Sequence, residues 1–437
     1  MNSVTGIITE YNPFHNGHLY HLNQAKKKGE SDYIICVMNG NFTQRGLPAL
    51  TDKWSRTKMA LASGVDLVIE LPLIYGIRSA EYFADGSVQL LSKTGIVQNI
   101  VFGSEAGDIR PLTLIAEILS KEPSDYKNDL QHHLKQGDSF PAAREKALIS
   151  YIQNHTPDYA KFFSNIDNSD GDNKKALAKI VKIISSPNNI LGIEYIKSLI
   201  ENDLSITPLT IKRVHNNYHS LNTDTKYASA TAIRGLINQG KMSKSKSLLP
   251  NYCYQLLKNE IESGKIPLLT KNLGMMILGK IRQMTVDELS TYSEINNGLE
   301  NRYKEAAHKA GTINQLIDQV IAKSITRTRI QRNLLHILFG LNQNEFLEMD
   351  KTGPSYLRIL GFSKRSEKLL SYLKEKAVLP MIIQPANYIE EPNTDSEDPL
   401  KKQLSYDILA GEIYSLLYKS PDHRSGKQDF YQQVVKN

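Results

Sequence analysis

His15 and His18 stand three residues apart with Gly17 between them, near the end of the run Gly6-Ile7-Ile8-Thr9-Glu10-Tyr11-Asn12-Pro13-Phe14-His15-Asn16-Gly17-His18-Leu19-Tyr20-His21. Imidazoles at that spacing on a helix start can both donate to phosphate oxygens, and a glycine beside them lets an anion approach the backbone. A second group lies downstream: Ser229-Ala230-Thr231-Ala232-Ile233-Arg234 sets hydroxyls and a guanidinium at another expected helix start. Such hydroxyls and free N–H groups suit the outer phosphates of a nucleotide, and Arg234 can bind bidentately. Each group has a plainer reading when taken alone: surface histidines in a βα loop, and a serine N-cap followed by a surface arginine. A metal reading of His15, His18 and His21 is weaker. No HExxH is present, Cys36 and Cys253 lie far apart, and no carboxylate cluster supplies a further ligand.

The elements that must position these groups follow from hydropathy. Val4 to Thr9 is β-prone, Asn12-Pro13 breaks it, and Leu19, Leu22 and Ala25 then recur at helical spacing. Runs at 33–38, 66–71 and 99–102 read as three more strands, separated by helical patterns from Lys53 to Ser63 and from Ala80 to Leu91. Alternating strands and helices predict a doubly wound, mainly parallel α/β sheet, with ligands outside the carboxyl ends of its strands. The turns at Asn12 to Gly17, Asn39 to Asn41 and Gly103-Ser104 should therefore converge. A helical insertion is expected from 108 to about 178. Its Asp167 to Asp172 run has the wrong spacing for a calcium loop and reads as a solvated loop. The α/β pattern returns at Ser186 to Gly192 and at Pro208 to Val214. Beyond Gly240 strand signals largely stop: Thr312 to Gln315 has the form of a capping box, and helical periods follow at 332–341, 364–373 and 406–417. The expected division is an α/β domain at 1–240 and a mostly α-helical domain at 241–437, with a mobile tail after Ser420.

Composition fits an ordinary globular protein of 437 residues, 40% hydrophobic and 23% charged. The N-terminus lacks the basic region of a signal peptide and no apolar run approaches a membrane span, so a cytoplasmic protein without membrane contact is expected. Two cysteines agree with a reducing compartment. Lys and Arg number 53 against 46 Asp and Glu, a net charge of +7, which suits a polyanionic partner such as RNA but also fits many basic enzymes.

The two phosphate motifs, in this order, resemble the His-x-Gly-His nucleotidyltransferase superfamily, although Ala230 stands where that superfamily's phosphate loop has a middle serine. The resemblance implies a Rossmann-like nucleotide-binding domain. Asn39 to Gly46, Asp66 to Pro72, Phe102 to Glu105, Pro187 to Gly192 and Thr326 to Arg332 extend the likeness over nearly the whole chain, to the bacterial tRNA(Met) cytidine acetate ligases. That resemblance implies an enzyme that joins ATP and acetate into acetyl-adenylate and passes the acetyl group to the wobble cytidine of elongator tRNA(Met). Magnesium is expected as the counter-ion of ATP, and coenzyme A is not expected. His15 and His18 would be catalytic. ATP would contact Ile7, Ile8, Thr9, Glu10, Tyr11, Asn12, Pro13, Phe14, His15, Asn16, Gly17, His18, Leu19 and Tyr20, then Gly103, Asn188, Arg213, Ser229, Thr231 and Arg234. Asn188 has the alternative of capping a helix, and Arg213 that of a sheet-edge charge.

Arg45, Lys53, Arg56 and Lys58 are expected near the crevice, and Lys323, Arg327, Arg329 and Arg332 form a basic run. Of these, Arg45, Lys53, Arg327, Arg329 and Arg332 are the candidate tRNA contacts, with a solvated basic face as the alternative. Two rivals stay open: an adenylyltransferase acting on a small phosphorylated precursor, and a non-catalytic RNA-binding protein with a degenerate nucleotide fold.

Overall fold

The computed structural model describes residues 3–155, 180–213 and 227–437. One sheet runs through it. Its strands are β1 (Val4–Thr9), β2 (Tyr33–Asn39), β3 (Leu67–Leu71), β4 (Asn99–Ser104), β5 (Thr207–Lys212), β6 (Leu357–Phe362), β7 (Met381–Ile382) and β8 (Val435–Lys436). The order is β5-β4-β1-β2-β3-β6-β7, with β8 also on β6. β1 to β5 are mutually parallel where they pair, and β6 runs antiparallel to β3.

This order makes the site legible. From β1 the chain moves outward through β2 and β3, then returns to lay β4 and β5 on the other side of β1. The gap between the carboxyl ends of β1 and β4 is the topological switch point, where open α/β sheets take their ligands. The strands alternate between two cores, as a sheet covered on both faces requires. In β2, Ile35 and Val37 enter one hydrophobic cluster while Ile34, Cys36 and Met38 enter the other. Helix α1 (Asn16–Lys28) and helix α2 (Lys53–Ala62) bury Leu22, Ala25, Met59 and Ala60 in the second cluster. The helices Ala80–Ser92, Ile109–Lys121 and Pro187–Glu201 cover the first face.

The expected helical insertion is present as Ile109–Lys121, Ser124–Lys135 and Phe140–Asn154. Its remainder, including Asp167 to Asp172, lies outside the described residues, as does Val214 at the predicted end of β5. Residues 241–437 are mostly helical, and the predicted capping box forms between Thr312 and Gln315. They do not stand apart, however. β6, β7 and β8 extend the first sheet beyond β3, so a boundary at 240 cuts through one continuous sheet. Nor is the tail mobile: Val435 pairs with Gly361, and Asp429 is buried.

Candidate active site

α1 begins at the mouth of the switch point, and its two histidines form its cap. His15 is the N-cap, its Nδ1 accepting the Gly17 N–H at 3.0 Å, and His18 Nδ1 in turn accepts the His15 N–H at 3.3 Å. This is a capping box built from imidazoles. The rings stack with centroids 3.7 Å apart. With each Nδ1 engaged as an acceptor, each ring carries its proton on Nε2 and is a donor there. Burial, aided by the charges of Arg213 and Arg234, lowers the His15 pKa to about 3. Burial, then His15 and Arg213, also lowers His18. The pair therefore faces the cleft as neutral N–H donors. Gly17 has a steric reason as well: a Cβ there would lie 2.8 Å from the His15 ring.

The second motif meets the first across the cleft. Ser229 caps the helix Ala230–Asn238 by accepting the Ala232 N–H. From that helix Arg234 reaches back, its Nη1 donating to the Asn12 carbonyl at 2.6 Å and its Nη2 to Thr231 Oγ1 at 3.0 Å. Two helix N-termini and their dipoles thus face one space. On the β4 side, Glu105 accepts from Asn188 Nδ2 at 2.6 Å, and Asn188 Oδ1 accepts from Arg213 Nη1 at 3.1 Å. Asn188 does not cap the helix Pro187–Glu201, whose N-cap is Ser186. Its amide links Glu105 to Arg213. Gly103 keeps this wall thin, since a Cβ would lie 3.3 Å from Arg213 Cγ.

The resulting cleft holds about 270 Å³ and is lined by Ile8, Thr9, Glu10, Tyr11, Asn12, His15, Gly17, His18 and Tyr20 from the first motif. Arg45, Gly103, Asn188, Arg213, Ser229, Thr231 and Arg234 complete the predicted set on its wall. Five expected residues do not line it. Ile7 and Phe14 are core, Leu19 packs against the same core, Asn16 donates to the Ser247 carbonyl, and Pro13 is buried. Residues that were not predicted include His21, Gln44, Lys212 and an apolar patch of Phe83, Phe102, Leu191 and Tyr195. The helical period that places His18 on α1 also places His21, one turn on; the patch carries no such signal. Among the described residues no group of three or more His, Cys, Asp or Glu side chains could hold a metal ion, and no helix is long and apolar enough to cross a membrane.

The basic candidates fare unevenly. Lys53 is a correction: it is 1% exposed and ion-paired to Glu70 and Asp429, so it cannot reach a nucleic acid. Arg56 is also buried, donating to the carbonyls of Glu10 and Asn39, and it staples the loops after β1 and β2. Arg327 pairs with Asp318 at 2.8 Å, Arg329 with Glu294 at 3.3 Å, and Lys323 with Asp138 at 3.6 Å. Arg332 is half-buried near the cleft's edge, where a Cβ on Gly46 would lie 2.5 Å from its backbone nitrogen. Gly46 has a φ of 76°, which favours glycine.

Residues 1–429 match the family described as HIGH Nucleotidyl Transferase. The chain is 49% identical to a tRNA(Met) cytidine acetate ligase of Halothermothrix orenii over 435 residues, covering 99% of each. It is 41% identical to one of Acetivibrio thermocellus, again over 99% of each chain. Among solved structures, Thermotoga maritima TmcAL bound with alpha-thio ATP superposes with a TM-score of 0.88 at 34% identity and 99% coverage of both chains.

Proposed function

The chain belongs to the HIGH nucleotidyl transferase family, and from that premise we propose that it is an ATP-dependent tRNA(Met) cytidine acetate ligase. It activates acetate as acetyl-adenylate and transfers the acetyl group to the wobble cytidine of elongator tRNA(Met). The products are N(4)-acetylcytidine, AMP and pyrophosphate. The observation that carries this reading is the Arg234 fork: it fastens the second phosphate motif to the loop of the first, so that both helix starts serve one cleft. Full-length likeness to ligases of that name supplies the substrates.

In the first step an acetate oxygen attacks the α-phosphorus of ATP in line, an O–P bond forms, and pyrophosphate leaves with the bonding pair. No protein nucleophile is required. Charge accumulates on the phosphate oxygens, and preorganised donors lower its cost most effectively in a site that excludes water. His15 and His18 Nε2–H groups, the Arg213 and Arg234 guanidiniums and the two helix starts supply them. Gly103, Asn188 and Arg213 form the wall against which the nucleotide lies. Magnesium accompanies ATP as its counter-ion, and the reaction belongs in the cytoplasm, where ATP and tRNA meet.

The test is incorporation of labelled acetate into total bacterial tRNA with ATP and magnesium, without coenzyme A, followed by nucleoside analysis. Label in N(4)-acetylcytidine that disappears in His18→Ala is expected. Absence of label, with pyrophosphate exchange driven instead by a phosphorylated acceptor, would overturn the substrate in favour of an adenylyltransferase.

A further inference from the structure

The second step needs something the first does not. As the amine nitrogen attacks the acetyl carbon, a C–N bond forms, the bond from that carbon to the AMP oxygen breaks, and AMP departs as an anion. The nitrogen must also lose a proton, and a positioned base near the attacking atom accelerates such a transfer.

We propose that Glu10 is the catalytic residue that takes this proton, an inference that rests on the ligase reading above. Glu10 is the only carboxylate among the described residues that line the cleft. It follows directly on β1 at the switch point, where Tyr11 turns the chain with a left-handed φ of 47°. One carboxylate oxygen, Oε1, accepts the Gln44 N–H at 2.8 Å, which fixes the group's orientation. Oε2 makes no hydrogen bond to the described residues and stays available to a ligand.

The alternatives are placed or engaged differently. His15 and His18 each use Nδ1 as an acceptor of a backbone N–H, so their cleft-facing nitrogens are donors without a lone pair to offer. His21 has an unpartnered Nε2, but it sits beside Gly103 on the β4 side, against Arg213, where the nucleotide lies. Glu10 is on the opposite flank of β1, held by the loop that follows β2. Within that loop Arg45 lines the cleft and Gly46 abuts the backbone of Arg332. The loop that holds the carboxylate therefore packs against the basic helix Arg327–Phe339, from which a polyanionic acceptor would approach. After AMP leaves, the proton passes from Glu10 to solvent.

Two assays on Glu10→Gln test this. Gln keeps the acceptor for the Gln44 N–H but cannot take a proton. In a single turnover from supplied acetyl-adenylate to tRNA, transfer should fall by about 100-fold or more. Pyrophosphate exchange with ATP and acetate should fall less than the transfer does, and Glu10→Asp should recover part of the transfer. Transfer that stays near the wild-type rate would overturn the proposal. So would an equal loss of exchange, or one rescued by more magnesium, which would assign Glu10 to ATP instead. If the wild-type protein itself shows no acetate-dependent exchange, the ligase reading falls, an outcome distinct from an intact reaction in the variant.

Discussion

Two polar regions of the molecule treat their cations in opposite ways. Beyond β3, Lys53 Nζ lies 2.8 Å from Glu70 and 2.6 Å from Asp429, and Arg358 lies 3.7 Å from Asp429, all of them essentially without solvent contact. In the cleft, Arg213 donates to an amide oxygen and Arg234 to a carbonyl and a hydroxyl. The first region neutralises its charge internally and joins β3, β6 and the C-terminal segment into one body. The second sets its arginines along the cleft wall, where an amide oxygen, a carbonyl and a hydroxyl accept hydrogen bonds from them. The difference separates charges buried against carboxylates from charges that line a cleft, and residue type alone does not reveal it.

The largest expected effect follows from breaking the first region. Lys53→Met leaves Glu70 and Asp429 buried without their main partner, and removing one member of a buried pair costs about 3–5 kcal/mol. Chemical denaturation should show that loss, while the folded fraction still exchanges pyrophosphate. His18→Ala should do the reverse in the cleft. Exchange should fall by about 100- to 1,000-fold because a donor to the developing charge is gone, and stability should fall by only about 1 kcal/mol through loss of the bond from the His15 N–H, one half of the capping box. If the two variants are destabilised equally, the contrast fails.

The regions should also tilt the pH profile of stability in opposite directions. Burial and Arg213 lower His21 to about 4, as burial and its two arginines lower His15 to about 3, from an ordinary 6.5. Between those values the unfolded chain binds protons that the folded one does not, so the histidines' contribution is lost as pH falls below 6.5. Asp407 behaves oppositely. It accepts the Leu73 N–H at 2.7 Å, and burial together with Glu70 pushes its pKa up to about 8. There the folded chain keeps a proton the unfolded one gives up, and stability is lost as pH rises toward 8. The loss is at most about 1.4 kcal/mol per pH unit. Asp407→Asn should flatten the profile between pH 6.5 and 8 in urea denaturation, and an undiminished slope would point to another group.

Much of the α/β half is legible in the sequence because its signals are local. The apolar runs of β1 to β4, the turn residues after them and the spacing of His15, Gly17 and His18 each lie within a few residues. What escapes depends on partners far along the chain. Leu357–Phe362 carries Arg358 at its second position, which argues against a buried strand until Asp429 is seen beside it. Lys53 reads as a surface cation at a helix start for the same reason. The cleft's apolar patch escapes because Phe83, Phe102, Leu191 and Tyr195 come from different elements and read individually as core. Asn188 stands out in its motif, but the use of its amide to join Glu105 to Arg213 needs the fold.

The smallest effect concerns the basic run, which stands between the two kinds of region. Arg327 and Arg329 already have carboxylate partners, yet both pairs lie at the surface, where such pairs are worth at most about 1 kcal/mol. A tRNA phosphate can therefore compete for them, as it cannot for Lys53. Arg332, whose backbone abuts the Gly46 loop, ties the run to the mouth of the cleft. Replacing Arg327, Arg329 and Arg332 together by Gln should weaken tRNA binding and flatten the dependence of log K on log salt by about one unit or less for each phosphate that these arginines neutralise. Exchange of pyrophosphate, which needs no tRNA, should be spared. An unchanged salt slope would mean that these arginines belong with the internally neutralised charges, and that the tRNA is held elsewhere on the surface.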